Sequence, residues 1–289
     1  MHNSTGPGLL RWKRLIVDRL ATAAAAAAAL AVMAPLIAIF VYLVARGAGA
    51  LSWSFLTHAP APVGETGGGI GNALVGSGLI LATGSVIGIP FGIGAGIYLA
   101  EYGRGRLSTV VRFTADVLNG VPSIVMGIAV YSLVVIRQKH FSALAGGVAI
   151  GIMMVPTVAR TTEEMLLMVP RSIREAALGL GISEWRTVLS VTLRTALPGV
   201  ITGVMLAFAR VAGETAPLLF TAFGNQFWSL NLNQPIAALP LQIYSYAISP
   251  YEEWHQQAWA GALVLIVVIV GTVAVVRLVA GRGVMKGAA

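Results

Sequence analysis

The chain has 289 residues, of which 57% are hydrophobic and only 10% charged; a soluble domain carries about 45–50% apolar residues, so this one belongs in a bilayer. Its net charge of +8 is spread along the edges of apolar segments, which argues for membrane orientation and against a nucleic-acid partner. Cysteine is absent, which excludes a disulfide framework and a thiolate metal site, and the histidines at positions 2, 58, 140 and 255 show no metal-ligand spacing.

A spanning helix needs about 20 mostly apolar residues, and six segments qualify: 21–45, 73–99, 113–136, 142–159, 197–220 and 258–280. The expected fold is therefore an all-α integral membrane protein with six transmembrane helices. Residues 1–20 form a tail in which Arg11, Lys13, Arg14 and Arg19 precede the first span. The apolar run that follows far exceeds the ~7–15 residues of a signal peptide's core, so it is read as a retained anchor. An outer loop over 46–72, rich in Pro and Gly from Ser52 to Gly71, separates this helix from a five-helix core over 73–280.

In the second span Gly84, Gly88, Gly92 and Gly96 recur at every fourth position, a ridge along which another helix can pack closely. Pro90 in the same span is expected to kink it. Asp116 lies near the start of the third span, where an acid favours the positive end of a helix.

A polar island runs from Arg160 to Pro198. Ser172 and Glu175 have capping-box spacing, which predicts a helix from Ile173 with Ser172 as its N-cap, stopped by Gly179 and Gly181. A second helical run covers Glu184 to Ala196. Ile173, Ala176, Ala177 and Leu180 form a narrow apolar stripe on the first of these helices. Two readings stay open: the stripe docks into a groove of another protein, or it lies on the chain's own transmembrane helices. Glu163 and Glu164 are expected to be solvated.

The fifth span holds Arg210 and Glu214, at i and i+4 and so on one helix face. Counted from Leu197, Arg210 lies about 20 Å into an apolar layer about 30 Å thick, too deep to reach the near surface. Charges at such depth are costly and usually line a path or pair off, and a guanidinium fork suits a tetrahedral oxyanion. A substrate path, with Thr215 and Pro217 adding polarity and irregular backbone, stands beside the alternative of a self-neutralised pair that holds helices together. The outer loop over 221–257 contains no Lys or Arg but carries Trp228, Tyr244, Tyr246, Tyr251 and Trp254, with Trp259 just beyond it; interfacial anchoring explains them, and a docking ledge for an outside partner is a second use. Residues 281–289 form a C-terminal tail.

With the N-terminus inside, all lysines and arginines fall on the cytoplasmic side except Arg46, Arg137 and Lys139, which fall outside, and Arg210, within a span. The bias predicts that both termini are cytoplasmic. The chain's lysines, Lys13, Lys139 and Lys286, never follow a glycine, so no phosphate-binding Walker loop exists. If transport is ATP-driven, the ATPase is another subunit. No cofactor motif, and no nucleophile and base constellation for an enzyme, is present.

Glu175-Ala176-Ala177 followed by Gly181 resembles the EAA loop of the membrane permeases of bacterial ABC importers. Within them, the chain is similar to the phosphate-specific PstA type through the segments Gly92 to Gly103, Val121 to Val125, Arg160 to Glu164, Val169 to Ser172 and Gly213 to Pro217. The resemblance implies a type I ABC importer permease fold in a bacterial plasma membrane and no catalysis by this chain. It also implies a second phosphate permease of the PstC type, two ATP-binding subunits of the PstB type and an extracytoplasmic phosphate-binding protein of the PstS type. Coupling to the ATPase would fall on Glu175, Ala176, Ala177 and Gly181, and the phosphate pathway on Arg210, Glu214 and Thr215. One departure is visible: the EAA loop continues as Val191-Thr-Leu-Arg194, with Leu197-Pro198 later, where many importers have Ile-x-Leu-Pro. A permease for another oxyanion or solute, and an ion-coupled carrier using Glu214 or Asp116 as proton relay, are the competing functions.

Overall fold

The computed structural model describes residues 7–62, 65 and 67–286; the outermost parts of both predicted tails, residues 1–6 and 287–289, lie outside it. Among the described residues the chain is helical, with one isolated bridge between Phe223 and Ile236. The helices are α1 (Pro7–Gly47), α2 (Trp53–Thr57), α3 (Gly71–Ile97), α4 (Arg106–Gly120), α5 (Ser123–Val130), α6 (Ile136–Gln138), α7 (Ala143–Leu167), α8 (Arg171–Gly179), α9 (Glu184–Arg186), α10 (Leu193–Ala212), α11 (Ala216–Leu219), α12 (Leu239–Ala247) and α13 (Glu252–Lys286). Three π-helical turns interrupt or extend them: Tyr98–Tyr102 after α3, Tyr131–Val135 between α5 and α6, and Thr187–Thr192 between α9 and α10.

Five helical stretches are long and apolar enough to cross a membrane, and a sixth exists if the bent pair α4 and α5–α6 counts as one span. The third predicted span is this pair: it breaks at Gly120-Val121-Pro122 and turns through 106°. Proline at 122 cannot donate a helical hydrogen bond and pushes Val121 out of the helical region, to φ −70°, ψ 130°. Because α4 begins at Arg106, Asp116 sits well inside the helix and cannot serve its N-terminus. The fifth predicted span is also interrupted, since α10 stops at Ala212 and resumes as the short α11. The second helical run of the polar island is not separate: Glu184 to Ala212 is one helical stretch through the π turn.

The centre of the molecule is the parallel pair α3 and α7. A β-carbon at Gly84, Gly88, Gly92 or Gly96 would come within 2.5–2.7 Å of Ile150, Met154, Val158 and Thr162 respectively. In return, one at Gly147 or Gly151 would press on Thr83 and Ile87. Bare backbone on both sides lets the two helices interlock over most of their length, the close approach that small residues permit in a membrane. The helix runs unbroken through Pro90.

Around this pair, α10 packs antiparallel to α7, with Gly199 against Met165 and Gly203 against Thr161. One apolar cluster joins Ile80, Ile150, Met154, Val211, Leu218 and Ile236; another, at the end rich in arginine, joins Val158, Leu166, Val169, Val200 and Val204. At the opposite, aromatic end the segment after α11 folds back over the bundle. Its carbonyls at Thr221, Leu232 and Gln234 accept from the amides of Ser142, Leu144 and Ala143, so the first donors of α7 are satisfied by a loop. Tyr246 stacks on Trp254 at 4.6 Å, and Trp259 meets Tyr42 edge-on at 5.2 Å, so several aromatics of this region pack on each other while Trp228 stays exposed.

Candidate functional site

Two regions hold the residues singled out from the sequence. The first is α8, at the arginine-rich end. It starts at Arg171 after the turn residue Pro170, one residue before Ser172, so Ser172 lies in the helix and caps nothing. Proline suits that position because its missing amide would be an orphan there anyway. The C-terminus ends as the glycines predict. The Ile182 amide donates to the Ala177 carbonyl and the Gly181 amide to Leu178, with Gly181 at φ +76°. These are the two bonds of a Schellman motif, which requires a left-handed residue at that place. The spacing between Ala177 and Gly181 is thus the spacing of a helix stop.

The apolar stripe of α8 divides. Ala177 is buried and Ile173 packs on the cluster around Leu166, whereas Ala176 is exposed and Leu180 is 82% exposed. The helix therefore lies on its own bundle by one edge and offers the other to solvent, together with Glu175, Leu178 and the nearby Trp185. Behind it lies a cavity of about 610 Å³ lined by the π turns at 98–102 and 187–192, the kind of helix irregularity found often at working sites.

A charge network missing from the sequence reading lies beside this cavity. Glu163, expected to be solvated, is 3% exposed: Arg112 Nε donates to its Oε1 at 2.7 Å and Arg160 Nη1 to its Oε2 at 3.3 Å. A carboxylate buried to this extent has to be paired. Asp116 and Glu164 each stand 3.8 Å from Arg160. The signal was present in the i, i+4 pair Arg112 and Asp116 on α4, but its partner charges are about fifty residues away.

The second region lies near mid-depth. Gly203 meets Thr161 and the two helices are antiparallel, so Arg210, seven residues on, is level with Met154. Thr157 donates to Asn119 at 3.1 Å, which brings the break between α4 and α5 to within a turn of the same level. Across from it, a β-carbon at Gly127 of α5 would lie 2.6 Å from Pro217 of α11. Two broken helices thus abut within the spanning segments, and irregular backbone at membrane depth persists only when buried in protein or lining a wet cavity.

Arg210 stands in the last turn of α10 on a stripe with Pro198, Thr202, Leu206 and Gly213, all exposed. Glu214 and Thr215 are half-buried in the break before α11. The helix ends at Ala212, so the i, i+4 geometry does not hold. Among the described residues no acidic group lies within ion-pair distance of Arg210, Glu214 included. The reading as a self-neutralised pair is therefore corrected. A permanent charge on an uncovered face of a spanning helix needs water, an anion or another polypeptide opposite it. Arg210, Glu214 and Thr215 lie at and just beyond the end of α10, whereas Glu175, Ala176, Ala177 and Gly181 lie in and just after α8.

Residues 88–282 match the family described as binding-protein-dependent transport system inner membrane component. The phosphate transport system permease protein PstA of Yersinia pestis is 50% identical over 231 residues, 80% of this chain and 78% of that one. PstA 1 of Mycobacterium tuberculosis (strain CDC 1551 / Oshkosh) is 36% identical over 281 residues, 94% and 92% of the two chains. Among solved structures, a chain of the MetNI methionine ABC transporter in an inward-facing conformation aligns with TM-score 0.54 at 19% identity, covering 75% of this chain and 96% of that one.

Proposed function

Because the chain belongs to the family of binding-protein-dependent transport system inner membrane components, we propose that it is the permease subunit of an ATP-driven phosphate importer. With a second, related permease it forms the gated path for inorganic phosphate across the plasma membrane. The chain is not itself an enzyme; two ATP-binding subunits on the cytoplasmic side supply the energy, and an extracytoplasmic binding protein delivers phosphate. Both termini face the cytoplasm, with the arginine-rich end inside.

The observation that carries this reading is the exposed Arg210 at mid-depth, without an acidic partner among the described residues, beside two broken helices. The second permease closes the uncovered face of α10 and leaves a narrow polar passage. There the guanidinium offers a planar, permanently charged donor fork that meets two oxygens of a tetrahedral oxyanion at once. Thr215 adds a hydroxyl donor, and Glu214 keeps the passage from becoming a trap by limiting its net positive charge. An anion held too tightly would not leave.

Gating follows from α8. ATP binding draws the two ATPases together, the exposed edge of α8 moves with the ATPase that holds it, and the interlocked α3–α7 core rocks as a unit around the anion site. Interlocked helices have two packings more readily than a continuum of intermediate ones.

The test is Arg210→Gln in the full complex. The variant is expected to assemble and to hydrolyse ATP, with phosphate uptake reduced at least about a hundredfold, the loss of one charge-assisted contact in a dry site. Dissociation of the complex with retained uptake by the surviving fraction would assign Arg210 to assembly. Unchanged uptake of phosphate would remove it from the path.

A further inference from the structure

We infer that Arg174 is the strap that makes α8 and the membrane core move as one body, a positioning role resting on the reading of α8 as the ATPase-coupling helix. Arg174 lies in α8 immediately before Glu175. Its Nη2 donates to the Leu166 carbonyl, in the last turn of α7, at 2.7 Å. The same nitrogen stands 2.9 Å from Oε1 of Glu101, in the π turn that ends α3. One guanidinium therefore holds the ends of both central helices. The pair is well shielded, with the Glu101 side chain 9% exposed and that of Arg174 21%, so salt and water weaken it far less than a surface pair.

A second arginine grips the same π turn from the other side. Arg112 Nη2 donates to the Leu99 carbonyl at 3.1 Å while its Nε holds Glu163 of α7. The chain of contacts runs from α8 through Arg174 to Glu101, through the π turn to Leu99, and through Arg112 to α4. The far end of α4 is the break at Gly120-Val121-Pro122, within a turn of the level of Arg210. A push on α8 thus reaches the break at the end of α4 through two short polar links, Arg174 to Glu101 and Arg112 to Leu99, and the length of α4 itself. Without the strap, α8 is joined to α7 by Met168-Val169-Pro170 and by its own apolar edge, a hinge that lets it tilt and leave the core behind. Nothing in the EAA pattern itself assigns this arginine.

The experiment uses the complete complex in proteoliposomes with binding protein outside. Three quantities are read: ATPase subunits retained on the permeases, ATP hydrolysed, and phosphate taken up. Glu101→Arg and Arg174→Glu are each expected to keep the ATPase subunits and to hydrolyse ATP, with phosphate moved per ATP about five- to tenfold lower. The double exchange, which restores opposite charges to the two positions, is expected to recover part of the loss. A role in folding alone would lower the amount of complex and leave the ratio unchanged. If a single reversal fails to assemble, Glu101→Gln and Arg174→Gln carry the same comparison. A wild-type ratio in the single variants, or a double variant no better than either single, overturns the strap. Glu175→Lys is the reference arm: if it transports normally, the coupling assignment of α8 falls and the strap with it, whereas if it uncouples while the Arg174 variants do not, only the strap falls.

Discussion

Gly88 of α3 and Met154 of α7 meet so closely that a β-carbon on the glycine would lie 2.7 Å from the Met154 Cβ. Gly151 backs the same contact from the other helix. Met154 is fully buried and lies level with Arg210, so the contact that locks the core sits at the depth of the proposed anion path.

Replacing Gly88 by Ile is therefore expected to force the helices apart at a cost of about 1–3 kcal/mol or more. Thermal stability of the detergent-solubilised complex should fall, and by more than for Gly94→Ile, whose β-carbon meets nothing within 4 Å. Equal effects at both positions would contradict the interlock.

Gly127→Leu probes the abutting breaks. Its side chain would be driven into Pro217, separating α5 from α11 in the half of the bundle beyond Arg210. The expected result is a complex that inserts and assembles but loses uptake, read as phosphate transport at constant membrane content of the chain. Retained uptake would show that the α5–α11 contact is not part of the path.

Gly181→Ala tests the helix stop. At φ +76° a β-carbon costs about 1–2 kcal/mol, weakening the Schellman turn between α8 and Glu184. ATP-dependent uptake is expected to drop severalfold while the permease remains in the membrane. Alanine without effect would mean that the turn adapts.

How much of this was legible in the sequence depends on the range of the interaction. The glycine ridge was legible because a period of four on one helix is a local pattern, and of its two uses, close helix packing and pore lining, the contacts with α7 show the first. Gly181 was legible for the same local reason. The pairing of Arg210 with Glu214 was misread because periodicity runs through Gly213 while the helix does not: α10 ends at Ala212. Ser172 has the composition of a cap, yet Pro170 claims the position. Glu163 was misjudged because its partner Arg112 is far away in sequence, and no local pattern announces such a contact.

Removing that buried carboxylate has a clear consequence. Glu163→Gln removes the negative charge shared by Arg112 and Arg160 and turns an amide donor toward one of them, and because both arginines are about a third or more exposed the loss is expected to be about 1–3 kcal/mol, below the cost at a fully buried pair. Melting of the complex should shift downward. Glu164→Gln, at a carboxylate 58% exposed, should leave it nearly in place.

The most direct test is phosphate entry into proteoliposomes containing this chain alone, compared with the chain beside its second permease, ATPases and binding protein. A gate worked from outside itself is expected to pass phosphate only in the full assembly and only with ATP. Sustained, saturable uptake by the lone chain, driven by an ion gradient, would contradict the account.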